Sequence, residues 1–265
     1  KIIGEGNPTV MFTSHLDTAD REQKTTRLFQ ANGRVNEEGY AFRLVKTGTG
    51  DEHIYTDGST ILGADDKAGV TVMLYMMAHN IPGLYYFFIG EEVGCIGSGL
   101  AAQSISDFQG KYDRIISFDR RDVFSVITHQ SWSRCCSDAF AEQLASELNA
   151  SGFQLNYRKD DGGVYTDSAE FIDIIPECTN LSVGYYKEHT VTESQDINHL
   201  ERLAKACLKI DWENLPTKRD PKVSDYKTYG SNKSSYSTYD SYHGVDYGYS
   251  RRNKKKNKNK KKDYG

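Results

Sequence analysis

Five short stretches place His, Asp or Glu where metal chemistry would need them. His15, Glu91 and Asp119 each come at, or just after, the end of an apolar run that reads as a buried strand, and His189 follows another such run by a short loop. Asp65 and Asp66 stand between small residues in Ile61-Leu62-Gly63-Ala64-Asp65-Asp66-Lys67-Ala68-Gly69, just ahead of a run that reads as a buried helix. In open α/β sheets, ligands collect at the carboxyl ends of the strands. Four strand ends would therefore bring His15, Glu91-Glu92, Asp119 and His189 to one edge, with Asp65 arriving at a helix N-terminus beside them. Two imidazoles and three carboxylates in one cleft are costly unless cations neutralise them. Mixed nitrogen and oxygen donors fit zinc, with manganese or cobalt as alternatives. A carboxylate shared by two ions about 3.5–4 Å apart is an arrangement used for metal-assisted hydrolysis, and Asp65 is the candidate for it.

Each stretch by itself has a plainer reading. Asp65-Asp66 can cap a helix and meet its dipole. His15 alone reads as a core or surface histidine, although Asp17, two positions on, can orient its ring. Glu91-Glu92 can be a solvated turn, Asp119 can pair with the neighbouring Arg120 or Arg121, and His189 can be a surface loop residue. His53, His79, His129, His199 and His243 have no comparable context. The ordered agreement of the five stretches carries the metal reading.

The positioning elements follow from hydrophobic pattern. Thr9–Thr13 reads as a buried strand, and residues 23–60, punctuated by glycines, as hairpins at a sheet rim. Asp66–Asn80 reads as a largely buried helix closed by Pro82-Gly83. Leu84–Ile89 is a continuous apolar run with the character of a central strand covered on both faces. A helix around Ser98–Ser104, a strand at Arg114–Phe118, another at Val123–Thr128, and a helix capped by Ser137-Asp138 come next. Cys178–Val183 reads as a last strand and Asp196–Leu208 as a closing amphipathic helix. This alternation predicts an α/β fold, with a mixed, mostly parallel central sheet flanked by helices on both faces.

At 265 residues the chain has room for one substantial core. Residues 1–215 read as a catalytic domain. Residues 216–265, rich in Tyr, Ser, Asn and Lys and poor in aliphatics, read as a disordered tail. The net charge is −4, yet Arg251–Lys262 holds nine basic residues and no acid, leaving an acidic body. Such a tail can contact nucleic acid through phosphate neutralisation, or be a solvated extension. No apolar run approaches the ~20 residues of a membrane span, and no secretory signal opens the chain. Five cysteines, an odd number without a CxxC pair, read as reduced thiols of a cytoplasmic protein.

Ser14-His15-Leu16-Asp17-Thr18, Gly63–Gly69, Gly90-Glu91-Glu92-Val93-Gly94, Phe118-Asp119 and His189-Thr190-Val191-Thr192-Glu193 together resemble the ordered signatures of the di-zinc exopeptidases. Asp-Asp-Lys-Ala-Gly is closest to the peptidase T branch. The resemblance covers about residues 8–195. It implies that His15, Asp65 and Asp119 hold one zinc ion and that Asp65, Glu92 and His189 hold the other. It also implies that Glu91 is the general base, that Asp17 supports His15, and that the Asp65–Asp66 peptide is cis. Only 70 positions separate Asp119 from His189, too few for the lid or dimerisation domain that peptidase T-like enzymes insert there.

The expected function is a metallopeptidase trimming short peptides, first as an aminopeptidase. An N-acyl amino acid or amide hydrolase on the same centre is the alternative, and a non-catalytic binding module with a nucleic-acid-binding tail the third reading. Trp132, Arg134, Cys135, Cys136 and Ser137 are candidate pocket material, with Cys135-Cys136 as wall or packing. Asp167 can either meet a substrate α-amino group or cap the short helix that follows it.

Overall fold

The structure is a computed structural model, and it describes residues 2–4, 7–19, 43–46, 52–56 and 58–223. In chain order the elements are β1 (Ile2–Ile3), β2 (Val10–His15), β3 (Arg43–Lys46), β4 (Glu52–Tyr55), α1 (Ala64–Ala78), β5 (Gly83–Phe88), α2 (Ile96–Ala102), α3 (Ile105–Phe108), β6 (Arg114–Arg120) and β7 (Ser125–Ile127). They continue with β8 (His129–Gln130), β9 (Ser133–Arg134), α4 (Asp138–Ala150), β10 (Arg158–Asp160), a 3-10 helix (Asp167–Phe171), β11 (Glu177–Ser182), β12 (Tyr185–Tyr186), β13 (Ser194–Asp196) and α5 (Ile197–Cys207).

The main sheet has the order β1-β5-β2-β6-β11-β7-β10. Strands β5, β2, β6 and β11 run parallel; β1 and β7 pair antiparallel with their neighbours β5 and β11. Side chains alternate across a strand, so β2 sends Val10 and Phe12 into one buried layer and Met11 into the other. Strand β6 divides Ile116 and Phe118 from Ile115 in the same way. Helices α1, α4 and α5 cover the first layer, and α2 with the 3-10 helix covers the second. The α/β architecture expected from the alternation is the one observed.

Two expectations need adjusting. Strand β5 is not central: only the two-residue β1 lies outside it, and Tyr86 and Phe87 stay half-buried. The rim hairpin is real where it is described, since β3 and β4 pair antiparallel, but they belong to a second sheet of order β12-β13-β4-β3. Residues 23–42, 47–51 and 57 of that stretch lie outside the described residues.

The described residues continue past residue 216 to Val223. Buried Arg114 donates to the carbonyls of Trp212, Glu213 and Leu215 and to the Thr217 hydroxyl. Arg219 donates to the carbonyls of Ile172, Ile175 and Pro176. Residues 224–265, including the basic run, lie outside the described residues. Among the described residues no helix is long and apolar enough to cross a membrane.

His199 shows how a polar residue is kept inside the core. Tyr157 donates its hydroxyl to the Ser182 carbonyl, so His199 Nε2, 2.8 Å from Tyr157 Oη, carries the hydrogen of that contact. Burial, helped by the Arg202 charge, lowers the His199 pKa to about 4. Its neutral form is the folded form, so the contribution is present above pH ~6.5 and lost as pH falls toward 4, about 3 kcal/mol in all. Urea unfolding at several pH values should therefore show a smaller acid-side loss of stability in His199→Leu than in the parent.

Candidate metal centre

Parallel pairing brings the carboxyl ends of β2, β5 and β6 to one edge. His15 closes β2, the Gly90-Glu91-Glu92 turn follows β5, and Asp119 lies near the end of β6. Helix α1 begins at the same edge with Asp65-Asp66 and the cis peptide between them. His189, with a left-handed φ of 63°, comes from the loop between β12 and β13.

The two oxygens of Asp65 face different imidazoles. Oδ1 lies 3.0 Å from His15 Nε2 and Oδ2 lies 3.0 Å from His189 Nε2. His15 Nε2 is also 3.6 Å from Asp119 Oδ1, and His189 Nε2 is 3.0 Å from Glu92 Oε2. Two donor groups result, His15/Asp65/Asp119 and Asp65/Glu92/His189; within each, one donor atom per residue lies within 4.8 Å of the others. All five residues expected as ligands are thus brought together. Glu91 is beside them, its Oε2 4.0 Å from His15 Nε2.

Surrounding bonds fix the geometry. His15 Nδ1 lies 3.0 Å from the Asp17 carbonyl oxygen, so a hydrogen on Nδ1 makes Nε2 the nitrogen that faces the cluster. The Asp17 carboxylate does something the sequence reading missed: it accepts the backbone N–H groups of Gly90, Glu91 and Glu92 at 2.8, 3.3 and 3.2 Å. Its Oδ1 is 3.6 Å from the His15 ring, so main-chain rather than side-chain oxygen holds the imidazole. Asp119 accepts from Thr166 Oγ1 at 2.5 Å and Tyr185 Oη at 3.1 Å, and Asn180 clamps its backbone on both sides.

Helix α1 is seated by two carboxylates. Glu193 accepts from the N–H groups of Gly63 and Asp65 at 2.7 and 3.0 Å. Asp66 accepts from Ser14 Oγ, His15 N and Gly69 N. A Cβ on Gly69 would lie 2.1 Å from the Phe118 carbonyl oxygen and 2.6 Å from Asp66 Oδ1, so only glycine lets the helix approach β6 this closely. Glu193, Thr166, Tyr185 and Asn180 were not anticipated as supports; their partners are distant in sequence.

Burial and clustered charge shift the protonation equilibria. Burial works against a charged His15, yet hydrogen bonds to Asp119 and Asp65 outweigh it and push the pKa well above the usual imidazole range. Hydrogen bonds to Asp65 and Glu92 raise His189 to about 11. Burial, then the Asp119 charge, raises Glu91 to about 9, and burial with the Asp65 charge raises Asp119 to about 6. The donor set fits divalent cations: imidazole nitrogens and carboxylates in two groups sharing Asp65, with Oε1 of Glu92 buried and without a hydrogen-bond partner.

Other candidates fare differently. Asp167 begins the 3-10 helix but makes no cap; its Oδ1 accepts from Ser98 Oγ at 2.5 Å. Cys135 and Cys136 are fully buried, and both thiols donate to the Ile127 carbonyl, as packing residues do. Trp132 is exposed on a hairpin turn.

This chain has the fold of the peptidase T-like zinc exopeptidases. It is similar to a tripeptidase from Staphylococcus aureus, with a TM-score of 0.56 and 17% identity over 79% of this chain and 81% of that one. The aminopeptidase PepT from Bacillus cereus gives a TM-score of 0.54 at 17% identity, over 80% and 82% of the two chains. In sequence, peptidase T from Aeromonas salmonicida is 37% identical over 91 residues, covering 28% of this chain and 22% of the relative. The match thus spans about a fifth of that curated relative's length. No protein-family model matches the chain.

Because the metal-free site holds its imidazoles protonated, a cation must displace protons to bind. Calorimetric zinc titrations in two buffers of different ionisation heat should show net proton release, with affinity rising from pH 6 to pH 8. Binding without proton release would contradict this account of the site.

Proposed function

We propose that the chain is a metal-dependent exopeptidase, an aminopeptidase acting on short peptides. The observation that carries the reading is Asp65 presenting one oxygen to each of two His-carboxylate groups. His15, Asp65 and Asp119 would hold one zinc ion, and Asp65, Glu92 and His189 the other, with manganese or cobalt as substitutes. Bound ions supply Lewis acidity to a water and to the scissile carbonyl.

Glu91 is the general base. Its carboxylate stands 4.0 Å from His15 Nε2 without belonging to either donor group. The environment that raises its pKa makes it a strong proton acceptor, and bound cations oppose that rise. Glu91 takes the proton of the attacking water and returns it to the departing amine. Asp17 keeps this carboxylate in place by holding the turn that carries it. The likeness to a tripeptidase and to PepT supports short peptides as substrates.

Two measurements test this reading. Glu91→Gln should retain two zinc ions per chain by elemental analysis while kcat falls by roughly 10²–10⁴; fewer than two ions in the zinc-saturated parent would sink the binuclear model. A panel of free-amine and N-acetylated peptides should show cleavage of the free-amine set. Turnover of blocked substrates alone would replace the aminopeptidase with the deacylase, and no turnover at all would leave the binding module.

A further inference from the structure

The chain has two tryptophans, and the fold uses them differently. Trp212 is buried, edge-on to Phe12 at 5.0 Å between ring centroids. Trp132 is 61% exposed at the tip of the β8–β9 hairpin. The hairpin turn consists of Ser131 and Trp132, with φ of 45° and 72°, both in the left-handed region. Two-residue turns of this kind favour Asn-Gly, because a bulky side chain is disfavoured at positive φ. An exposed tryptophan there is strained backbone, and such outliers concentrate at functional sites.

The hairpin is tied to the strand that carries Asp119. Ser131 donates its N–H and its hydroxyl to the Val164 carbonyl at 2.7 and 2.8 Å. Gln130 bridges to Gly163, where a Cβ would lie 2.2 Å from the His129 carbonyl oxygen, so the two backbones touch. Gln130 Nε2 donates to Ser168 Oγ, and the Ser168 N–H donates to Ser117 Oγ, two residues before Asp119. Val164 and Tyr165, 67% and 45% exposed, directly precede Thr166, whose hydroxyl holds Asp119 Oδ2. On the other side, Tyr165 donates to Glu170, which lies against Gly99 of α2. The exposed apolar rim therefore connects to the metal centre through fixed struts.

We infer that Trp132, Val164 and Tyr165 form the surface that receives a substrate side chain, giving this chain a preference for peptides with a large apolar residue beside the scissile bond. The inference rests on the peptidase reading above. Its physical basis is that aromatic and branched surface kept in water at a catalytic rim gains free energy when an apolar side chain covers it.

Trp132→Gly suits the turn backbone and removes the ring, and Trp132→Phe restores aromatic surface. With zinc-loaded protein, the kcat/KM ratio for phenylalanyl over alanyl p-nitroanilide should fall at least tenfold in Trp132→Gly, through KM, and recover in Trp132→Phe. A ratio within twofold of the parent would overturn the inference, as would a change of oligomeric state in Trp132→Gly, by sedimentation, with the ratio unmoved. Separately, the tryptophan emission of the parent should shift with L-phenylalanine and not with glycine, and the shift should vanish in Trp132→Gly. An emission shift without any peptide cleavage would leave the surface standing and defeat the peptidase reading. Cleavage with an unmoved ratio and no shift would do the reverse.

Discussion

The site depends on Asp65 turning both carboxylate oxygens toward different partners at once. One oxygen faces His15 from the end of β2, and the other faces His189 from a loop more than a hundred residues later. That condition constrains the start of α1 more tightly than helix formation would. Glu193 holds the N–H groups of Gly63 and Asp65 from above, and Asp66 binds back to Ser14 and to the His15 backbone. Gly69 then allows the helix to lie against the Phe118 carbonyl, one residue before Asp119. Helix, two strands and loop are locked to one carboxylate.

A cluster of this charge is unstable alone and informative for that reason. Without cations, protonated imidazoles serve as counter-charges, and burial drives Glu91 and Asp119 toward their neutral forms. The fold has spent its rigidity on keeping these groups together rather than letting them separate. Where charge is balanced locally, as at Arg114 among the carbonyls of the C-terminal turn, burial has a structural purpose. At the donor cluster the counter-charge comes from the imidazoles themselves, whose nitrogens are among the donors a cation would take.

Much of this was legible in the sequence, and the reasons are specific. Apolar runs before His15, Glu91 and Asp119 revealed strands, and their alternation with helical patterns pointed to parallel pairing. Parallel strands then put their ends on one edge. What stayed hidden were contacts whose partners share no local pattern. Glu193 reaches Gly63 across 130 positions, Thr166 reaches Asp119 across 47, and Asp17 turns its carboxylate to backbone amides that carry no side-chain signature. The position of β5 near the sheet edge was equally hidden, since Tyr86 and Phe87 look the same in sequence whether or not another layer covers them.

The loop bearing His189 also supplies Glu193, so one short segment completes the second donor group and seats the helix that carries Asp65. A polypeptide is made from its amino end. While this segment is still inside the ribosome, the earlier strands and α1 lack both the last imidazole and the grip on Asp65. The second donor group and the seat of α1 are therefore completed together, by one segment that comes late in the chain.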